Sequence, residues 1–227
     1  MTDCFKVNVI MPMLGGGTRV KGFQDTCKPL MILPDGELFF LKALSSLKNY
    51  QIDTLCLVVL KEYGKDFEEL SNEIMKVSKC RSLIIISHEP TSTPIETVKI
   101  GIEKIQNELP IFILDCDIYS EIPLIKIENN SFGYLFYFYD ITGNKSYIRL
   151  SDNHVIEVKE KELISNNAIF GAYLFTSKKR LTSKLYQDDL KYISDLFRIA
   201  VQDGCYISAT KLYRVINYGT IEEINKL

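Results

Sequence analysis

Tryptophan is absent from the 227 residues and histidine occurs only twice, at His88 and His154. A site that depends on several imidazoles is thereby excluded. Six cysteines, Cys4, Cys27, Cys56, Cys80, Cys116 and Cys205, are spread along the chain with no C-x-x-C pair. The ligand spacing of a zinc site is therefore missing. Free thiols within apolar runs behave as small hydrophobes, and a reducing compartment keeps them so. Long apolar stretches are lacking too: the longest, at 7–14 and 55–60, fall far short of the roughly 20 residues that cross a bilayer. Met1-Thr2-Asp3-Cys4 has no basic segment leading into an apolar one, so no secretory leader is expected and the protein is expected in the cytosol, away from membranes. Nor is there an excess of positive charge. With 27 Lys and Arg against 29 Asp and Glu, no basic face for a phosphate backbone is foreseen, which argues against nucleic acid as a partner.

An apolar fraction of 46% at this length is enough to bury a core. No repeat, low-complexity tract or Gly/Ser linker divides the chain, so residues 1–227 are expected to form one domain. In the first half, β-rich runs at 6–13, 54–60, 82–87 and 110–114 alternate with helix-length segments at 39–47, 67–77 and 95–105. That alternation predicts an α/β fold with a mostly parallel sheet and crossover helices. After Asp117 come strand-like runs at 132–141, 147–150, 155–159 and 168–175, with Gly143-Asn144 and Asp152-Asn153 as turns. Helices are expected again at 189–202 and 221–226, with strand candidates within 206–217. The second half should add strands to the same sheet.

The first strand runs into Leu14-Gly15-Gly16-Gly17-Thr18-Arg19, and Lys28-Pro29 follows. Three glycines let backbone N–H groups approach an anion, and Arg19, Lys21 and Lys28 are cations suited to a polyphosphate. The same glycines could also simply make a tight turn. A P-loop is excluded, because no G-x-x-x-x-G-K-[ST] string occurs. A dinucleotide fingerprint fares poorly as well, since Val20 stands where its third glycine belongs.

The run at 110–114 leads directly into Asp115-Cys116-Asp117. Two residues apart on an extended segment, both carboxylates should face one side, at the strand edge where α/β sheets bind ligands. Hard carboxylate oxygens suit Mg²⁺ or Mn²⁺ bridging phosphates. A turn cap is the alternative role for one of the pair.

Together these segments resemble the G-x-G-[TS]-R…K-P and D-x-D signatures of the sugar-phosphate nucleotidylyltransferases. The resemblance implies a single three-layer, Rossmann-like domain of the nucleotide-diphospho-sugar transferase type. It also implies metal-dependent transfer of NMP from an NTP to a phosphorylated small molecule, with pyrophosphate released. On that resemblance Arg19 and Lys28 hold the triphosphate, with the backbone from Leu14 through Gly15, Gly16, Gly17 and Thr18, and Asp117 holds the metal beside Asp115. Thr91-Ser92-Thr93-Pro94 is similar to the family segment bordering the base, with Thr93 in place of its glycine; a helix cap accounts for the same string. Val158-Lys159-Glu160-Lys161 resembles V-x-E-K, which implies acceptor contacts for Glu160 and Lys161, although a solvated charge run would look alike. Asn166 and Gly171 match a further acceptor segment, and Tyr192-Ile193-Ser194-Asp195 is similar to another segment of the family. Where the family carries a second metal carboxylate, before Gly219-Thr220, this chain has Asn217, whose amide oxygen binds a cation without adding charge. The resemblance, which runs from Val9 to about Ile224, leaves no residues for the β-helix that some relatives add, and implies a monomer or homodimer. The alternatives are a glycosyltransferase using an NDP-sugar and the same D-x-D, or a silent relative that only binds nucleotide.

Overall fold

A computed structural model describes residues 5–128 and 130–227. Met1 to Cys4, on which the absence of a leader was read, and Asn129 lie outside the described residues. In chain order the first half comprises β1 (Lys6–Met13), α1 (Phe39–Leu44), β2 (Gln51–Leu60), α2 (Gly64–Glu69), α3 (Ser71–Ser78), β3 (Ser82–His88), α4 (Pro94–Ile102) and β4 (Ile111–Leu114). The second comprises β5 (Ile118–Tyr119), β6 (Ser131–Tyr139), β7 (Ser146–Ser151), β8 (His154–Glu160), β9 (Asn167–Phe175), α5 (Lys178–Leu185), α6 (Ile193–Gln202), β10 (Tyr206–Lys211), β11 (Ile216–Asn217) and α7 (Ile221–Ile224).

Alternate side chains of β1 enter different cores. Val7, Val9, Met11 and Met13 join one buried cluster, and Ile10 joins a second, as the two-residue period of a strand covered on both faces requires. The first cluster receives Phe40 and Leu44 of α1, Phe67 of α2 and Ile74 of α3; the second receives Val98 of α4, Leu181 of α5 and Phe197 of α6. At Gly101 of α4 an added Cβ would lie 2.8 Å from Ile10 Cγ2, so the helix seats directly on β1.

Nine strands form one sheet in the order β3-β2-β1-β4-β9-β6-β10-β8-β7. The first four are parallel, as is the β6–β10 pair, whereas β9, β7 and β8 join antiparallel. The fold is thus mixed α/β, and the parallel character read from the sequence belongs to its first half. The hairpin β7–β8 across Asp152-Asn153 can only pair antiparallel, whereas β9 pairs antiparallel with strands distant in sequence.

Three helices depart from the sequence pattern. The helix expected at 67–77 breaks at Leu70, where the Ser71 hydroxyl donates to Glu68 O at 2.5 Å and competes with the helical ladder. The helix expected from 189 starts at Ile193, because Asp195 accepts the amides of Lys191 and Tyr192 at 3.0 and 2.9 Å and caps it there. Helix α5 was not foreseen. Its sequence, KKRLTSKL, buries only Leu181 and Leu185, and Ser177 caps it by accepting the Arg180 amide at 3.1 Å. The parallel strands point their carboxyl ends at one edge, where the loops after β1 and β4 meet.

Candidate active site

Beyond Met13 the chain leaves β1 through Gly15, Gly16 and Gly17 and tightens into a turn of 3₁₀ helix at Thr18–Val20. Gly17 adopts φ 58°, and an added Cβ would sit 3.0 Å from Lys28 Cβ. Only glycine fits both conditions. Among the described residues no backbone hydrogen bond takes the amides of Gly15, Gly16 or Gly17 as donors, leaving them open to an incoming anion.

Lys28 opens a second 3₁₀ turn, followed by buried Pro29. Its ammonium is inside the protein, 11% exposed, and donates to Asp117 Oδ2. Arg19 Nη2 reaches the same oxygen at 3.6 Å while staying 66% exposed. Residues separated by about a hundred positions in sequence therefore share one carboxylate oxygen.

Asp115 and Asp117 sit just past the end of β4, where the Asp115 amide donates to Gly171 O at 2.9 Å. Both line the cleft, and Cys116 between them also packs against the first core cluster. Burial pushes the Asp115 carboxyl up to about 7, and the neighbouring Asp117 charge adds to the rise. Burial acts on Asp117 in the same direction, but Lys28 and then Arg19 outweigh it and hold its carboxyl below the ordinary range. Gly171, at φ +82°, belongs to the same construction, since a Cβ there would fall 2.6 Å from Asp115 Oδ2. Burial pushes the Cys116 thiol up to about 12, which makes it a poor nucleophile.

These groups open onto a cleft of about 730 Å³. Of the residues singled out in the sequence, Gly15, Gly16, Gly17, Thr18, Arg19, Lys28, Asp115, Asp117, Glu160, Lys161, Gly171 and Asn217 all line it. Leu14, Thr91, Thr93 and Asn166 do not. Leu14 is 2% exposed and packs in the second core cluster. Thr93 caps α4 by accepting the Glu96 amide at 3.2 Å, and Thr91 Oγ1 lies 2.6 Å from Thr97 Oγ1. Asn166 is exposed, its carbonyl accepting the Asp140 amide at 3.1 Å.

Glu160, also in the cleft lining, accepts hydrogen bonds from Ser146 Oγ and, at 3.0 Å, from Ser194 Oγ. Lys161 Nζ donates to Tyr192 Oη at 3.2 Å. The lining also includes Tyr173, Lys145 and Glu223, which carry no motif. Sequence spacing alone could not have found them. Tyr192 was foreseen within its four-residue string.

The donor set at the cleft is all oxygen: two carboxylates and the Asn217 amide. Among the described residues no three or more His, Cys, Asp or Glu side chains are grouped to enclose a metal. Two carboxylates, one of them raised by burial and by the charge of the other, do fit Mg²⁺ or Mn²⁺, which commonly completes its shell with substrate phosphates and water.

Fold and cleft together define a mixed α/β protein that brings a glycine loop, Arg19, Lys28 and the Asp115–Asp117 pair to one shared cleft. Solved structures with the same fold carry names that fit this description. The chain is similar to the nucleoside-diphosphate-sugar pyrophosphorylase from Vibrio cholerae RC9, at 22% identity over 96% of this chain and 98% of that one, with a TM-score of 0.82. It is similar also to the inositol-1-phosphate CTP transferase from T. maritima, at 14% identity over 98% and 93% with a TM-score of 0.76. A UDP-glucose pyrophosphorylase complexed with UDP-glucose matches at 15% identity over 98% and 96%, with a TM-score of 0.74. At these identities what is shared is the fold, which agrees with the resemblance read from the glycine loop and the D-x-D. No family model matches the sequence, and no curated protein matches it.

Proposed function

We propose that this chain is a nucleotidyltransferase that moves NMP from an NTP to a phosphorylated small molecule, with a sugar 1-phosphate as the leading acceptor class. The observation that carries the reading is the meeting of Arg19 and Lys28 on Asp117, which puts the cations of the glycine loop and the D-x-D carboxylate within reach of one bound nucleotide. The names of the fold relatives support it.

The open amides of Gly15 to Gly17, with Arg19 and Lys28, cradle the β and γ phosphates. An acceptor phosphate oxygen attacks the α-phosphorus in line. A new P–O bond forms as the α–β bridging bond breaks, and pyrophosphate leaves with the electron pair. Because the nucleophile is already anionic, no base has to remove a proton, in keeping with a chain that has two histidines. Arg19 and Lys28 stabilise the charge that grows on the leaving pyrophosphate. Asp115, Asp117 and Asn217 would hold Mg²⁺ or Mn²⁺, which when bound supplies positive charge at the phosphates. Glu160, braced by the buried Ser194 hydroxyl, forms with Lys161 and the hydroxyls of Ser146 and Tyr192 the polar wall that orients the acceptor. We read residues 1–227 as one three-layer, Rossmann-like domain working in the cytosol, and among the described residues no helix is long and apolar enough to cross a membrane.

Pyrophosphate release should be measured across the four common NTPs with a panel of phosphorylated acceptors, alongside NDP-sugar turnover as a control. Arg19→Ala and Asp117→Ala are each expected to reduce release by about 100-fold or more, with circular dichroism unchanged. Full activity in both variants, or turnover of NDP-sugar alone, would discard the assignment.

A further inference from the structure

The proposed reaction joins two anions, and of the cations already described Arg19 and Lys28 are engaged at Asp117 on the triphosphate side, while Lys161 is exposed and engaged by Tyr192. An incoming acceptor phosphate needs positive charge on its own side, or its approach to the α-phosphate is opposed by like charge.

Lys145 lines the same cleft from the loop between β6 and β7. That loop is braced. Asp140 Oδ1 accepts the Tyr147 hydroxyl at 2.5 Å and the Thr142 amide at 2.9 Å, and Tyr147 Oη accepts the Gly143 amide at 2.8 Å. The backbone of Lys145 is tied down as well, its carbonyl accepting the Lys161 amide at 2.9 Å. From this anchored position its side chain, 24% exposed, passes the Phe138 ring and ends 3.5 Å from Glu223 Oε1.

That contact is longer than the 2.7–2.9 Å of a strong charge-assisted hydrogen bond. Glu223 has a firmer engagement through its other oxygen, which accepts the Gly219 amide at 3.1 Å. The pair also lies beside the reacting region: a Cβ on Gly219 would be 2.8 Å from Asp117 Oδ2 and 3.5 Å from Glu223 Oε2. The field of Lys145 accordingly contributes to holding the Asp117 carboxyl down. A half-buried ammonium on a rigid loop, loosely held by a carboxylate fixed elsewhere, is free to turn to a better anion.

We infer that Lys145 binds the phosphate of the acceptor, exchanging Glu223 for it, and so serves as a substrate-binding catalytic residue in addition to Arg19 and Lys28. The inference rests on the nucleotidyl-transfer reading and assigns one subsite within it. Glu223 keeps the ammonium in place between turnovers.

The test uses the full chain, first saturated with a magnesium complex of an α,β-methylene NTP analogue chosen from the four bases, so that the triphosphate loop is filled. Inorganic phosphate is then titrated calorimetrically as the acceptor probe. Lys145→Met is expected to weaken phosphate by roughly 10- to 100-fold, the loss of one charge-assisted bond, and to leave analogue affinity within about twofold. Lys145→Arg should restore most of the binding, and Glu223→Gln, which still accepts the Gly219 amide, should leave phosphate bound as tightly or more so. Unchanged phosphate affinity in Lys145→Met overturns the inference, as does failure of phosphate to bind the wild-type complex. Equal weakening by Glu223→Gln would mark the pair as structural and overturn it too. Failure of every analogue to bind wild-type protein is a separate result, and it counts against the nucleotidyl-transfer reading itself.

Discussion

Asp115 carries an unusual load for a single carboxyl. Its ordinary value of 3.8 rises to about 7, first through burial and then through the adjacent Asp117 charge. Between those values the folded chain keeps a proton that the unfolded chain has lost, so this group's contribution to stability declines as pH rises from about 4 to about 7. Asp117 acts with the opposite sign. Despite its burial, Lys28 and Arg19 hold it low, so its contribution is present above its unfolded value and is lost as pH falls through the folded one. Asp115→Asn removes the first dependence without changing shape. The variant is expected to melt above the wild type at pH 8, to lose that advantage near pH 4, and to transfer NMP poorly at every pH. Parallel thermal melts at the two pH values check this, and an advantage that does not depend on pH would show that burial of Asp115 is not the cause.

The elements contribute by where they end. Strands β1 and β4 lie side by side and parallel, so their carboxyl ends deliver the glycine loop and the two aspartates to one edge. Helix α4 begins near this edge with Pro94 in the cleft wall, yet Thr93 spends its hydroxyl on the helix, accepting the Glu96 amide. Thr93→Ala should therefore cost about 1 kcal/mol of stability as a lost cap. The Michaelis constant for NTP should hold within about twofold, because the cap is internal to the helix. Denaturant melts and initial rates measure the two effects separately, and a large rise in that constant would return Thr93 to the base site. The same position shows how far local sequence reaches. Its capping role is written in Thr93-Pro94-Ile95-Glu96, since an N-cap is a contact between near neighbours, and so is readable without the fold. The break at Leu70 came from one hydroxyl competing with a helical amide for a carbonyl, a contest that apolar spacing does not record.

For the whole molecule the cleft is an assembly of segments that share nothing but position. The glycine loop, the D-x-D, the β7–β8 hairpin, the middle of β9, the start of α6 and the turn before α7 all contribute walls. A ligand bridging them should stabilise the folded chain globally. Magnesium pyrophosphate at a hundredfold excess over its Kd is expected to add about 2.7 kcal/mol, roughly 5–10 °C in Tm for a chain of this size. Lys28→Ala should abolish the shift, read by differential scanning fluorimetry, and a full shift in that variant would place the anion elsewhere. By itself the sequence determined the parallel first half, the glycine loop, the carboxylate pair and their order, because strand period, glycine's freedom and adjacent acids are local properties. Only the tertiary structure decided that Arg19, Lys28 and Asp117 share an oxygen, that Leu14 and Asn166 stay out of the cleft, and that Lys145 and Glu223 enter it. Those outcomes depend on which distant segments pack together, and burial beside like and unlike charge, which set apart two otherwise equal aspartates, exists only once the chain has closed around them.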